Sequence, residues 1–503
     1  MRLSFPATIF ALIAVLWIKW ILPAASGIDD NDFMWHLAYG EWIMKHGSIP
    51  LVDSFSWTFK GQPYQLTQWL GEVALWLSYE QYGLLGTRIL AVALTGVVFL
   101  FAWRAAARYV HTSAAMGIAV CCNIIQLMVP LRPQVFSFAA TAIATYLIVR
   151  WIEDKKKSAL MLYPVLMAAW VNLHGGFIVG LIMIGIVATG LTVEAYFEKR
   201  LKDERNTLIL SWGVVVASLL ATLLNPYGYK AITGVLMIAG LQSSGVIFEW
   251  MPVTMTSNTG LLYLLNLLPF VGLMLATNVK PRITVGLLAS FMLFFGVLAN
   301  RQVAICAAVM APMIASLLAR TPQYREMVQT FANPSKPIIF GLLTIGLLSA
   351  CGPILSGAQK NQDRALEDRY PVQATKFLVA NNLTERVLSD TVEGSWLIHQ
   401  KIPVFIDGRM DLYQDKFFFE WYLADRAVPG WNNFIKKHNP NVMLLRVDMA
   451  IRQAALTSGQ WKQVYQDQRF SVLVPSSNPL PSVAETIPKF LDDKGHLAVV
   501  YKP

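Results

Sequence analysis

The chain has 503 residues, 55% of them apolar and only 14% charged, with a mean hydropathy of +0.47. An average globular protein carries about 25% charged residues, so an ordinary soluble enzyme is excluded, and apolar runs near the roughly 20 residues that cross a bilayer recur along the chain. The net charge of +10 comes without any Lys/Arg-rich run interleaved with aromatics, which argues against a nucleic-acid partner and leaves membrane topology as its source.

The first apolar run, 6–25, follows Arg2 and resembles a signal peptide with Ala24-Ala25-Ser26 as its cleavage site. It is long for such a segment and carries Lys19 near its outer end, so it is predicted to remain as a transmembrane helix. A polar outer loop, 26–83, comes next. Further spans are predicted at 84–104, 113–130, 134–151, 159–173, 176–195, 207–224, 259–276, 282–299, 302–319 and 336–355, about eleven helices with the first. The stretches 66–82 and 230–241 read as re-entrant or interfacial helices. With the N-terminus inside, the cytoplasmic loops hold 16 Lys and Arg and the outer loops five (Lys45, Lys60, Arg132, Lys230, Arg301), leaving out Lys19 and Arg88 inside spans. That asymmetry is the positive-inside pattern. An odd number of spans then puts 356–503 on the outer face.

Beyond 355 the apolar runs shorten and charge returns. Helices are predicted at 374–381, 415–428, 430–438 and 448–457, and strands at 386–389, 403–407, 442–446, 461–466 and 470–474. This alternation predicts a small α/β domain with a partly parallel sheet. The expected organisation is a transmembrane domain, 1–355, and a soluble extracytoplasmic α/β domain, 356–503. All four cysteines fall in apolar segments, where thiols act as small hydrophobes, and no disulfide or zinc spacing is present.

The predicted topology sorts the polar residues, and nearly all with chemical potential fall on the outer side. In the first outer loop, Asp32, His36 and Tyr39/Gly40 share one face of a helix, with Trp35 and Trp42 on a neighbouring face. Asp29 or Asp30 could cap that helix. Asp30-Asn31-Asp32 is also a D-x-D tripeptide whose hard oxygens suit a divalent metal. Arg132 and Arg301 stand at outer helix ends against the charge trend; either could pair with a phosphate through its planar fork, or snorkel and pair with Glu249 or an aspartate. Lys19, Arg88 and Lys230 are weaker candidates. Asn172-Leu173-His174-Gly175-Gly176 reads as a tight turn in which His174 either completes the turn or contacts acceptor or phosphate. Asn225-Pro226-Tyr227-Gly228 is a turn signature first. Asp407-Gly408-Arg409 follows a buried-type strand and is either a structural ion pair or part of an acceptor-binding or lid module. No phosphate-cradling Gly-x-Gly-x-x-Gly or Gly-Lys-Ser/Thr motif occurs.

The acidic residues after the first helix, Trp35-His36-Leu37-x-x-Gly40, and Gly47-x-Ile49-Pro50-x-x-Asp53-x-Phe55-Ser56 resemble the first outer loop of a bacterial multi-pass family of the GT-C glycosyltransferase superfamily. The resemblance spans nearly the whole chain through Arg132-Pro133-Gln134, Trp170-x-Asn172-x-His174-Gly175-Gly176, Asn225-Pro226-Tyr227-Gly228, Glu249-Trp250 and Phe405-Ile406-Asp407-Gly408-Arg409. It implies kinship with mannosyl-, arabinosyl- and aminoarabinosyl-transferases that use polyprenyl-phosphate sugars. In such enzymes a first-loop acid acts as general base on an acceptor hydroxyl, the anomeric carbon inverts and the lipid phosphate leaves. Mapped onto this chain, Asp32 is the first choice of base and Asp30 the second, with His36 orienting the carboxylate or serving as base itself. Arg132, Arg301, His174 and Lys19 are then candidates for the donor phosphate, and Asp53, Asn172, Glu249 and Tyr227 for substrate.

The expected function is transfer of a sugar from a polyprenyl-phosphate donor to a glycan, lipid or protein acceptor outside the bacterial inner membrane. No cofactor is assigned beyond the divalent metal weighed at Asp30/Asp32. The alternative is a non-catalytic membrane component of envelope polysaccharide assembly that keeps the fold. The acids, histidines and arginines gathered on one face favour the enzyme; a transporter is a distant third, because mid-membrane charges are sparse.

Overall fold

The computed structural model describes residues 30–127, 130–277, 279–322, 324 and 366–483. These fall into two compact units. The first takes in Asp30, Tyr39–Ile49 and the chain from Gln65 through the helices; the second takes in Asn31–Ala38, Pro50–Tyr64 and the chain from Asp363 onward. The helix α1 (Phe33–His46) therefore contributes residues to both.

The first unit is helical: α2 (Trp69–Ala106), α3 (Thr112–Asn123), α4 (Gln134–Asp154), α5 (Lys157–Met161), α6 (Tyr163–Leu173), α7 (Phe177–Phe197), α8 (Arg205–Ala221), α9 (Lys230–Ala239), α10 (Asn258–Thr277), α11 (Ile283–Leu298) and α12 (Val303–Leu318). The predicted spans 6–25 and 336–355 lie outside the described residues. A helix stands at each of the other nine predicted positions. Among the described residues, five helices are long and apolar enough to cross a membrane on their own: α2, α4, α7, α10 and α12 with the short turn before it. The backbone of α2 breaks at Tyr82 and Gly83, where the sequence separates an interfacial stretch from a span. Helix α12 is the hub. Its residues from Val303 to Leu317 are buried, many of them Ala, and small residues let neighbouring backbones approach closely where no hydrophobic force drives helices together. It packs on α2, α3, α4, α10 and α11.

The second unit carries α13 (Val372–Ala380), β1 (Val387–Leu388), α14 (Thr391–His399), α15 (Met410–Asp425), α16 (Trp431–His438), β2 (Val442–Arg446), α17 (Ala450–Thr457), β3 (Trp461–Gln466) and β4 (Phe470–Pro475). Its sheet runs β1-β2-β4-β3, with β1 and β2 parallel and the other pairs antiparallel. Strands β2 and β4 are almost wholly buried, as mainly apolar runs in covered strands should be. The expected strand at 403–407 is not one. Its backbone pairs instead with the first-loop segment: Val404 N donates to Phe55 O at 3.0 Å and Trp57 N to Val404 O at 2.9 Å, while Thr58 Oγ1 donates to Phe405 O at 2.6 Å. A buried run reads the same whether its partner is a sheet or an irregular segment, so periodicity could not separate the two.

Candidate active site

In the first unit, polar groups gather at the turns before α4, between α6 and α7, and before α12. A 3-10 turn, Phe248–Trp250, is tied to a second, Asn300–Gln302: Asn300 N donates to Met251 O at 3.0 Å and Asn300 Nδ2 to Phe248 O at 3.0 Å. Two tight turns thus fix Glu249, Trp250 and Arg301. The Arg301 guanidinium lies 3.1 Å from the centre of the Trp250 ring, where ring quadrupole and cation attract. Arg132 has its Nε on Asp30 Oδ2 at 2.5 Å and its two terminal nitrogens on Glu249 at 2.9 and 2.7 Å. Its fork is thus paired with two acids, of which Asp30 is buried and Glu249 about 38% exposed.

His174 ends α6 and feels both arginines. Loss of hydration, then the charges of Arg301 and Arg132, push its pKa down to about 3, so it is neutral in any ordinary buffer. Its Nδ1 takes the Gly176 N–H at 3.0 Å and lies 2.7 Å from Ser137 Oγ, which itself accepts from Trp170 Nε1 at 2.8 Å. A nitrogen that accepts cannot also carry the proton, so the network assigns the proton to Nε2. His174 is then a neutral donor beside two cations, an arrangement suited to an anion. Gly176 permits this packing, since a Cβ there would stand 2.3 Å from Ser137 Oγ.

Asn172 and Tyr227 are placed as structural ties. Asn172 accepts from Trp69 Nε1 at 2.9 Å and donates to Ala168 O and Leu224 O at 2.8 Å each, and the Tyr227 hydroxyl accepts from Leu66 N at 2.9 Å. Lys19 lies outside the described residues. Ser137 carries much of this geometry, yet it was not singled out from sequence, whereas Trp250 entered through the Glu249-Trp250 pair; the one signal for Ser137 was a hydroxyl five residues past Arg132.

In the second unit, Asp32 begins α1, its carbonyl accepting from His36 N at 3.2 Å. His36 is buried, its ring 3.7 Å from that of Trp35. Trp35 N donates to Ser395 Oγ at 3.2 Å, which satisfies one of the helix's orphan amides from a different helix. Asp53 is interior. Its carboxylate accepts from Phe55 N, Ser56 N, Ser56 Oγ and Arg409 Nη1, which places it in a buried ion network. Arg409 also donates through Nε and Nη2 to Asp407 at 2.7 and 2.6 Å, and Tyr413 donates to the same carboxylate at 2.7 Å. Among the described residues no group of three or more His, Cys, Asp or Glu could hold a metal ion. The Arg132 guanidinium on Asp30 is a poor setting for a second cation.

No protein-family model and no curated protein matches the sequence. Solved structures do. The chain superposes on ArnT from Cupriavidus metallidurans bound to undecaprenyl phosphate with a TM-score of 0.53 at 14% identity, covering 95% of this chain and 99% of that one. It also matches an oligosaccharyltransferase from Archaeoglobus fulgidus, at 0.53 and 12% identity over 95% of this chain and 74% of the other. A structure of AglB from the same organism, in complex with an inhibitory peptide and a dolichol-phosphate, gives 0.52 at 11% identity over 95% and 75%. The chain has the GT-C fold. At these identities the likeness speaks to architecture alone, and the apolar helices among the described residues are consistent with the membrane location it suggests.

Proposed function

We propose that this GT-C protein is a glycosyltransferase that moves a sugar from a polyprenyl-phosphate donor to an acceptor hydroxyl, with Asp32 as general base. The observation that carries this reading is the grouping of Arg301, Arg132 and a neutral, donating His174 at one end of the helical unit, in a fold whose solved examples hold undecaprenyl phosphate or dolichol-phosphate. In the reaction, the Asp32 carboxylate takes the acceptor's hydroxyl proton and the oxygen attacks the anomeric carbon. The bond to the phosphate oxygen breaks with inversion. The departing lipid phosphate is held by Arg301 and the His174 Nε2–H, with Arg132 joining as Glu249, its exposed partner, gives way. His36 steadies the turn that carries Asp32. The 16-to-5 split of Lys and Arg supports a cytoplasmic N-terminus and an outer C-terminal unit, in a bacterial inner membrane.

A second reading, a non-catalytic partner of polysaccharide assembly, draws on the saturated fork of Arg132. One experiment separates the two. Purified protein is given synthetic undecaprenyl-phosphate-linked hexoses and pentoses with a membrane-lipid extract as acceptor pool, and released undecaprenyl phosphate is measured. Wild type should release it, and Asp32→Asn, which keeps the shape but cannot take a proton at neutral pH, should be slower by a factor of roughly 10²–10⁴. Release by Asp32→Asn at the wild-type rate refutes the base assignment, and none from any donor favours the non-catalytic reading.

A further inference from the structure

Asp407-Gly408-Arg409 contains a buried ion pair and, between its members, a glycine that the pair does not need. Gly408 does not have a left-handed φ, so the backbone does not demand it. What does is Asp32. A Cβ built on Gly408 would stand 1.9 Å from Asp32 Oδ1, 2.9 Å from Asp32 Cγ and 3.1 Å from Trp35 Nε1. The Asp32 carboxylate occupies the volume that any other residue at 408 would fill.

We infer that the Asp407-Gly408-Arg409 loop is the cradle that positions Asp32, with Gly408 as its positioning residue. The inference rests on the reading of Asp32 as base. The loop is suited to the task because it cannot easily shift. Arg409 and Asp407 have fully buried side chains, their contact is bidentate, and Asp53 closes the network through Arg409 Nη1 at 2.6 Å. The start of α1 is held from the other side by Ser395 on Trp35 N. A catalytic carboxylate must be held within about 0.5 Å of its working position, and displacement of about 1 Å can cost a hundredfold in rate. A carboxylate lying on a loop anchored by a buried ion network meets that requirement; one at a solvated helix start would not.

The test is Gly408→Ala, alone and combined with Asp32→Ala, in the full-length protein. Release of undecaprenyl phosphate from the donor panel should fall about ten- to a hundredfold in kcat for Gly408→Ala, with KM for the donor within about twofold of wild type. Independently of activity, the melting temperature lost on Gly408→Ala should be recovered in Asp32→Ala/Gly408→Ala, because the added methyl then meets no carboxylate. If Gly408→Ala does not fold alone, recovery of folding in the double variant is the same result. An equal loss of melting temperature with and without Asp32 overturns the cradle, as does wild-type kcat in Gly408→Ala. Where Asp32→Asn is impaired and Gly408→Ala is not, the cradle alone fails. Where Asp32→Asn works at the wild-type rate, the base assignment fails and the cradle with it.

Discussion

Arg301 and Arg132 differ in what holds them, and so in what their removal should do. Arg301 lies on the Trp250 ring, and a planar guanidinium pairs with a phosphate through its fork. A buried charge-assisted contact contributes roughly 1.5–3 kcal/mol, so Arg301→Ala should weaken binding of undecaprenyl phosphate about ten- to a hundredfold, and Arg301→Lys should restore only part of it. Titration with undecaprenyl phosphate in detergent would check this; wild-type affinity in Arg301→Ala would make the arginine a structural partner of Trp250. Arg132→Ala is a poorer test, because it also removes an ion pair with the buried Asp30. A different residue sets a pH dependence. Glu393 is buried, its Oε2 has no hydrogen-bond partner among the described residues, and loss of hydration, with Asp390 adding to it, pushes its pKa from 4.5 up to about 7. The folded state thus keeps a proton that the unfolded chain loses above 4.5, so stability declines as pH rises from about 4.5 to 7. Glu393→Gln should therefore be more stable than wild type at pH 8, by an amount on the order of 3 kcal/mol, and no more stable at pH 4. Parallel melting curves at the two pH values decide it.

The turn joining α6 to α7 shows how one element sets a site. With only His174-Gly175-Gly176 between the helices, the chain reverses so tightly that the His174 ring folds onto Gly176 N and Ser137. Gly176→Ala should push a methyl into Ser137 Oγ, dislodge His174 and destabilise the protein by about 1–3 kcal/mol, the usual cost of overpacking. Thermal unfolding in detergent would show the loss; an unchanged midpoint would mean that α4 can move aside. Periodicity and turn residues made this element legible from the sequence: the helix, the Gly-Gly turn and the next helix were all predicted. The partner was not, because Ser137 lies 37 residues away and a serine on an apolar helix is usually a hydroxyl bonded to its own backbone.

At the scale of the whole molecule, orientation follows from charge. A cation on the outer side must be carried across the bilayer during insertion, so loops rich in Lys and Arg stay inside. The expected outcome is that an alkaline phosphatase fused to the C-terminus is active and a cytoplasmic reporter at the same point is silent. The reverse pattern would place the second unit inside and move the candidate residues of the first outer loop with it.

What the sequence determined by itself is what depends on near neighbours: where helices run, which loops carry charge, and the strands β2, β3 and β4, whose bounds agree with the predicted ones to within a residue. It also offered His174, Arg132 and Arg301 as candidates, because charge at a helix end or a histidine in a Gly-rich turn is costly enough to be visible locally. Tertiary structure decided the pairings. Arg132 meets Asp30 and Glu249 across 102 and 117 residues, and Arg409 meets Asp53 across 356. No pattern of period 2 or 3.6 encodes such distances. The same long-range packing placed Asp53 in an ion network, paired 403–407 with the first loop rather than with the sheet, and assigned Asp30 and Asp32, two residues apart, to different units.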